Sequence, residues 1–261
     1  VRWLVVVALV ALTGCHLVFE LGPGIDAPMS DDARTGYAAA VLADAPVAYW
    51  RLGNASQDVA LDETGNGNIG TYQGGVAPGM PGPLVGDADS ATEFDGDDDA
   101  ITMGDRLSFE GSDAFTIEAW VRVAVHGDHT GIVSKTDETD SGNTRSGYLL
   151  FEADTKLGCE RTDGVEIQSV TTGALIVDRW SHVAATFDGS RLTLYVDAEV
   201  QDTSITPSPV AIPATSMPFA IGGRNGGTWL LFDGSIDEVA IYDRALEMSQ
   251  LENHRRIALG Q

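Results

Sequence analysis

Beyond about residue 50, apolar and polar residues alternate with a period of two through much of the chain. In the stretch FTIEAWVRV, Phe115, Ile117, Ala119, Val121 and Val123 share one face, while Thr116, Glu118, Trp120 and Arg122 take the other. In RLTLYVD, Leu192, Leu194 and Val196 oppose Thr193 and Tyr195, and in GSIDEVAIY, Val239 and Ile241 oppose Glu238 and Tyr242. Such alternation predicts half-buried strands of antiparallel sheets. Turn-forming runs rich in Gly, Asp and Asn (DGDDDA, TDSGNTRSG, FDGS, GGRNGG) separate them. Near the start, YAAAVLADAPVAYWRL reads as a short helical or turn-like opening, a proline, and the apolar strand Val47 to Leu52. Near the end, ALEMSQLENHRRI is helix-like, with Leu251 and Ile257 on its inner face. Many strands with one late helix and no internal repeat predict an all-β, two-sheet antiparallel sandwich of jelly-roll type with one short C-terminal helix.

The first residues follow a different pattern. Arg2 precedes nine apolar residues, Leu4 to Leu12. That run is too short for a bilayer, which needs about 20 residues, but it suits the core of a signal peptide. Leu12-Thr13-Gly14-Cys15 resembles the lipobox of bacterial lipoproteins. The resemblance implies lipid on the Cys15 sulfur and cleavage after Gly14; an ordinary secretory signal with an incidental cysteine is the other reading. His16 follows, without the Asp that retains lipoproteins in an inner membrane, so the implied location is the cell envelope at an outer membrane or cell surface. Residues 1–14 are then a leader, 15–36 a lipidated tether rich in Gly, Pro, Asp and Ser, and 37–257 the folded domain.

Charge narrows the partners. The 261-residue chain carries 39 Asp and Glu against 15 Lys and Arg, a formal net charge of −24. Such a surface repels phosphate backbones and anionic headgroups, which argues against nucleic acid; a solvated acidic surface is its plainest meaning. Of the two cysteines, lipidation consumes Cys15 and leaves Cys159 in KLGCERTDG, a predicted buried structural thiol.

The ordered series AYWRLG, DETGNGNIGTYQGG, ATEFDGDDDAITMG, FTIEAWVRV, WSHVAATFDGSRLTLYVD, FAIGGR and FDGSIDEVAIYDRAL resembles the laminin-G-like, concanavalin A-like jelly-roll domain of bacterial secreted proteins. The match runs from about Tyr37 to Ile257. It implies a two-sheet sandwich that binds glycans or other extracellular molecules. It does not choose a ligand, because the fold also hosts hydrolases, lyases and passive interaction modules.

In DETGNGN, Asp62 offers a carboxylate, Asn66 and Asn68 offer amide or backbone oxygens, and two glycines let the chain curl around a cation such as Ca²⁺. An EF-hand is excluded, since Gln73 stands where a bidentate Glu is required. The family resemblance implies that this loop meets Asp237 of the IDEV strand around a structural Ca²⁺; a glycine-rich turn in which Asp62 caps backbone amides is the alternative. Asp95, Asp97, Asp98 and Asp99 read as a solvated hairpin turn, with a second metal site as the weaker reading. His126 and His129 read as loop residues rather than Zn²⁺ ligands, and His182 as a packed strand residue.

No E-x-D-x-E run, nucleophile elbow, P-loop, CxxC pair or HExxH occurs, so the chain is read as non-catalytic. For ligand contact, Trp50, Trp120 and Trp180 belong to core strands. Tyr148 and Trp229 lie beside glycine-rich loops and are the candidates for a ligand rim, with edge-strand packing as the alternative. The expectation is a lipid-anchored, extracytoplasmic binding module for glycans or other extracellular ligands. A protein-interaction lipoprotein with no sugar site is the runner-up, and a glycan hydrolase or lyase comes third.

Overall fold

In a computed structural model, residues 36–53, 59–139, 144–206 and 210–261 are described. The leader, Cys15 and the tether as far as residue 35 lie outside them. Strand β16 (Asp233–Tyr242) is the centre of the first sheet. On one edge it pairs with β7 (Phe115–Val123), followed outward by β12 (Ser181–Phe187), β13 (Arg191–Val196) and β14 (Glu199–Ile205). On its other edge it pairs with β5 (Ser90–Asp95) over residues 233–236 and with β1 (Ala48–Trp50) over residues 239–241; β4 (Ala77–Pro81) lies beyond β5. The second sheet runs β11 (Ile167–Ala174), β10 (Lys156–Asp163), β9 (Thr144–Ala153), β8 (Thr130–Thr139), β15 (Ala220–Ile221), β6 (Ala100–Thr102), β3 (Gly70–Gln73) and β2 (Val59–Ala60). The pairings described are antiparallel, and the two sheets make the expected sandwich.

The period-two pattern places the core. Phe115, Ile117, Ala119, Val121 and Val123 enter the layer between the sheets with Leu192, Leu194, Val239 and Ile241. Trp50, Phe94, Phe187 and Phe219 join them, and Trp50 stacks on Phe219 with ring centroids 5.6 Å apart. Each such side chain, fully buried, stabilises the fold by about 1.5–3 kcal/mol. Cys159 sits in this layer as a free, buried thiol whose ionisation burial pushes strongly upward, as befits a structural residue.

The opposite face of the first sheet differs from expectation. Thr116, Glu118 and Trp120 are as buried as their apolar neighbours. Two helices cover them: α1 (Tyr37–Ala43), which resolves the helical or turn-like opening as a helix, and α2 (Met248–Ala258). In α2, Leu251, His254 and Ala258 form the buried stripe, Gln250 Oε1 accepts the N–H of Glu247 at 3.0 Å, and Arg255 and Arg256 complement the dipole in the last turn. Tyr37, Ala38 and Val41 of α1 pack beside it in a second apolar cluster with Trp120, Tyr195, Tyr242 and Leu251.

A charged network runs through that layer. Glu118, with no exposed surface, lies 2.7 Å from His182 Nε2 and 3.0 Å from His254 Nδ1, and accepts the Tyr242 hydroxyl at 3.2 Å. His254 Nε2 lies 3.1 Å from Asp44 Oδ2, so one imidazole ties α2 both to the sheet and to the end of α1. Burial pushes the Glu118 carboxyl up, but the hydrogen bonds from His182 and His254 outweigh it and hold the carboxyl down to about 2. Burial disfavours the His254 imidazolium, yet its hydrogen bond and charge interaction with Glu118, aided by Asp44, raise it above its ordinary 6.5.

Linkage then sets a pH window. The Glu118 contribution is complete above the carboxyl's ordinary 4.5 and disappears as the pH falls toward 2. The His254 contribution is complete below 6.5 and disappears as the pH rises through its raised value. Glu118→Gln is expected to cost about 3 kcal/mol between those limits, by leaving the His254 imidazolium with only the part-exposed Asp44 as counter-charge. Urea midpoints against pH check this: the gap between wild type and variant should narrow on both sides of the window, and a pH-independent gap refutes the network.

Candidate functional site

Three segments meet at one end of the sandwich: the β5–β6 turn at residues 95–97, the β7–β8 loop at residues 125–130, and residues 228–233 leading into β16. They enclose an open groove of about 460 Å³. Val125, Trp229, Leu230 and Leu231 form its apolar wall, with Asp95, Asp97, Asp233, His126 and Thr130 also lining it.

Trp229 is half-buried and held from beneath. The Arg224 guanidinium lies 5.4 Å from its ring centroid and makes a two-pronged contact with Glu138, Nε to Oε1 at 2.8 Å and Nη2 to Oε2 at 2.6 Å. Backbone bonds close the loop: Arg224 N–H donates to Trp229 O at 2.8 Å, and Gly227 N–H to Arg224 O at 2.9 Å. Gly227 is required here, since its φ is +79° and a Cβ would lie 2.8 Å from that of Ala100. His126 is fixed as well: Nδ1 lies 2.7 Å from Oε1 of the fully buried Glu152, whose Oε2 accepts the Gly127 N–H at 2.9 Å. His129 turns elsewhere and stacks on Phe151 with centroids 5.1 Å apart, so the two histidines do not face a common ligand.

Of the two aromatics read as rim residues, Trp229 lies on the groove and Tyr148 does not. Tyr148 is 1% exposed, packed 5.2 Å from Phe115 and 5.5 Å from Phe109, and its hydroxyl donates to Leu107 O at 2.6 Å. Strand parity explains the correction. Tyr148 and Leu150 point into the sandwich, while Leu149 and Phe151 take the outer face.

The metal set read from the sequence is split between two places. Asp62 spends both oxygens on its own loop and the adjacent strand β1: Oδ1 accepts N–H groups of Tyr49 at 3.3 Å and Thr64 at 3.0 Å and the Thr64 hydroxyl at 2.6 Å, and Oδ2 accepts Asn68 N–H at 2.9 Å and Nδ2 at 3.0 Å. Asn66 and Asn68 each donate Nδ2–H to Val47 O at 3.0 Å. This is the capped turn, and its donor-saturated carboxylate does not fit a cation.

Asp237 belongs to another cluster, with Asp89 and Glu238; one oxygen of each lies within 4.8 Å of the others. Arg51, one residue past β1, reaches into it. Its Nε is 3.0 Å from both Asp89 Oδ2 and Glu238 Oε1, and its Nη2 is 2.7 Å from Asp87 Oδ2. The Tyr49 hydroxyl donates to Glu238 Oε2. One guanidinium thus faces four carboxylates. Burial, then the Glu238 and Asp89 charges, push the Asp237 carboxyl well above its ordinary range. Burial drives Glu238 up to about 8 against the pull of Arg51 and the Tyr49 hydrogen bond. Asp237 Oδ1 accepts the Glu238 N–H at 3.0 Å. An excess of buried carboxylate with hard oxygen donors fits a divalent cation.

Two substitutions separate these roles. Asp62→Ala is expected to cost about 2–3 kcal/mol by orphaning several donors, equally in Ca²⁺ and in EDTA; a Ca²⁺-dependent loss returns the loop to the metal. Tyr148→Phe is expected to cost about 1 kcal/mol, the value of one hydrogen bond, and denaturant titration checks both.

A search of curated protein sequences finds no match. Among solved structures the fold is similar to the binding domain of Paraclostridial Mosquitocidal Protein 1, with TM-score 0.63 and 20% identity, over 82% of this chain and 52% of that one. The Botulinum neurotoxin serotype G binding domain gives TM-score 0.62 at 12% identity, over 81% of this chain and 51% of that one. This chain therefore spans about half the length of either toxin domain. Domain 4 of AbnA, a GH43 extracellular arabinanase from Geobacillus stearothermophilus solved with arabinotriose, gives TM-score 0.59 at 19% identity, over 80% of this chain and 98% of that one. At these identities the likeness is one of fold. The family described as Laminin_G_3, concanavalin A-like lectin/glucanases superfamily, matches residues 95–252, more than half of the chain. On that match and the two-sheet sandwich together, the chain belongs to the concanavalin A-like lectin/glucanase superfamily.

Proposed function

We propose that this protein is an extracytoplasmic binding module that holds a glycan in the Trp229 groove and performs no catalysis on it. The observation that carries the reading is a rigidly supported indole on the wall of an open groove that also holds a fixed imidazole, a hydroxyl and carboxylates. An aromatic plate with a few placed polar groups suits the apolar face and hydroxyls of a pyranose. Similarity in fold to an arabinanase domain solved with arabinotriose supports the ligand class. The non-catalytic reading is supported by Glu118 and Glu238, the carboxylates of the covered sheet face. Both are fully buried and engaged by their partners, and neither lines the groove.

A glycan array with wild type, Trp229→Ala and Tyr148→Phe tests this. Trp229→Ala is expected to weaken binding about tenfold or more, some 1.4 kcal/mol, and Tyr148→Phe to leave it unchanged. No glycan bound by wild type sinks the reading. The runner-up is then a protein-interaction module, favoured by the exposed Val165 and Ile167 and, on the edge strand β14, Val200 and Ile205.

Two further parts of the reading rest on sequence and chemistry. Lipid on Cys15 holds the domain at a membrane, at the outer membrane or cell surface; Cys15→Ser should abolish labelling by a clickable fatty acid, and retained label refutes the anchor. A structural Ca²⁺ is held by Asp89 and Asp237 beside Glu238, whose own oxygens are taken by Arg51 and Tyr49, and supplies the positive charge that Arg51 alone does not. Saturating Ca²⁺ should raise the melting temperature, by about 2.7 kcal/mol of stabilisation at a hundredfold excess over Kd, and Asp237→Asn should remove the rise. A wild-type melting temperature indifferent to Ca²⁺ and EDTA discards the ion.

A further inference from the structure

The Arg51 cluster has one guanidinium for its four carboxylates, whereas the carboxylates of the Trp229 groove have none. Elsewhere buried carboxylates meet cations: Glu118 meets two imidazoles, Glu138 meets Arg224, and Glu160 meets Arg145. The groove is lined by Asp95, Asp97 and Asp233, and no lysine or arginine is among its lining residues. Its one basic group, His126, is already turned to Glu152. Asp95 and Asp233 stand directly opposite one another in the β5–β16 register, and among the described residues neither has an ion-pair partner. Burial first, and the charges of Asp95 and Glu93 next, raise the Asp233 carboxyl above its ordinary value, in keeping with carboxylates that repel each other.

A bare metal ion fits this groove poorly. Asp95 groups at metal-ligand distance with Asp98 and Asp99, and both Asp99 oxygens are already engaged by the N–H groups of Gly75 (2.6 Å) and Asp95 (3.1 Å). A groove of about 460 Å³ with an indole and two leucines on one wall is also far larger than an ion. The shape asks for a ring and the charge asks for a cation. A lysine side chain offers the cation on a flexible stem, whose ordering costs rotamer entropy. An amino sugar offers it on a rigid ring whose apolar face can lie against Trp229.

We propose that the groove selects an oligosaccharide bearing free, protonated amino groups, with a sugar ring against Trp229 and the ammonium group offset by Asp233 and Asp95. The inference rests on the glycan reading of the same groove and names the class of glycan. The surrounding charge of −24 assists it by drawing a cationic ligand toward the protein.

The test is calorimetric titration of the full chain, purified in mild detergent, with three probes at mildly acidic pH: β-1,4-linked glucosamine trisaccharide, its N-acetylated counterpart, and trilysine. The amino trisaccharide is expected to bind at least about tenfold more tightly than the acetylated one, with a preference that shrinks as salt is raised. Asp233→Asn and Asp95→Asn should each reduce that preference while Trp229→Ala weakens both sugars, with melting curves confirming that each variant is folded. Equal binding of the two sugars overturns the charge selection and leaves the glycan reading standing. Trilysine binding as tightly as the amino sugar overturns the inference in favour of a basic peptide. Binding of none of the three also overturns it, and the glycan array then decides separately whether the groove takes any sugar.

Discussion

The central strand of the first sheet must serve two partners along one edge, and a buried ionic cluster sits where it changes from one to the other. β16 leaves β5 after Ile236 and joins β1 at Val239, while its register to β7 shifts between Asp237 and Ala240. The irregularity is a bulge in which Glu238 adopts φ +53°, an uncommon conformation for a residue with a side chain. Two consecutive residues at this bulge, Asp237 and Glu238, are both buried, and both are acids. Arg51 follows β1, and its guanidinium opposes them. The pairing of β1, the conformation of the bulge and the neutralisation of Glu238 are therefore one problem with one solution. Removing a partner from such a cluster is strongly destabilising, because the remaining charges stay buried.

A second consequence concerns where recognition is possible. Sheets of this fold commonly leave one broad face to solvent, but here α1 and α2 occupy that position on the first sheet, and Glu118 with its two histidines secures them. Residues of the kind that bind sugars (Trp120, Tyr49, Tyr242) are consumed as core. The proposed groove lies instead at the end of the sandwich, where loops from both sheets converge on Trp229. That loop is not soft, since Arg224 and Glu138 lock it to β8.

The elements that were legible in the sequence are those whose physics is local. Period-two alternation located the inward residues of β7, β13 and β16, and the position of Leu251 located the buried side of α2. The glycine-rich setting of Trp229 marked a loop at the surface, and the strand-like setting of Cys159, with no histidine near it in sequence, marked a structural thiol. Longer-range facts were not legible. Glu118 reads as a solvent-facing strand residue unless one knows that α1 and α2 fold over it. Tyr148 follows a glycine-rich turn just as Trp229 does, and only the register of β9 turns its ring inward. Asp62 and Asp237 were joined by family resemblance, whereas Asp62 is saturated by donors in its own loop and β1, and Asp237 is turned by the bulge toward Asp89. Arg51 was the one available clue to that cluster, a charge at the end of an otherwise apolar strand.

The stitch between α1 and α2 bears on how the domain would behave under force. Asp44, just past α1, receives Gln250 Nε2 at 2.6 Å and sits 3.1 Å from His254 Nε2, and the Arg244 guanidinium reaches its carbonyl. The first and last helices of the domain are thus fastened directly to each other. A pull arriving along the chain at Tyr37 meets this polar clasp ahead of any β-ladder. It would be resisted first by contacts that peel one at a time, while the strands behind them keep their register. Because the same helical pair covers Glu118 and Trp120, letting go of it would wet the buried charges of the first sheet, so the clasp shields the sandwich as well as closing it.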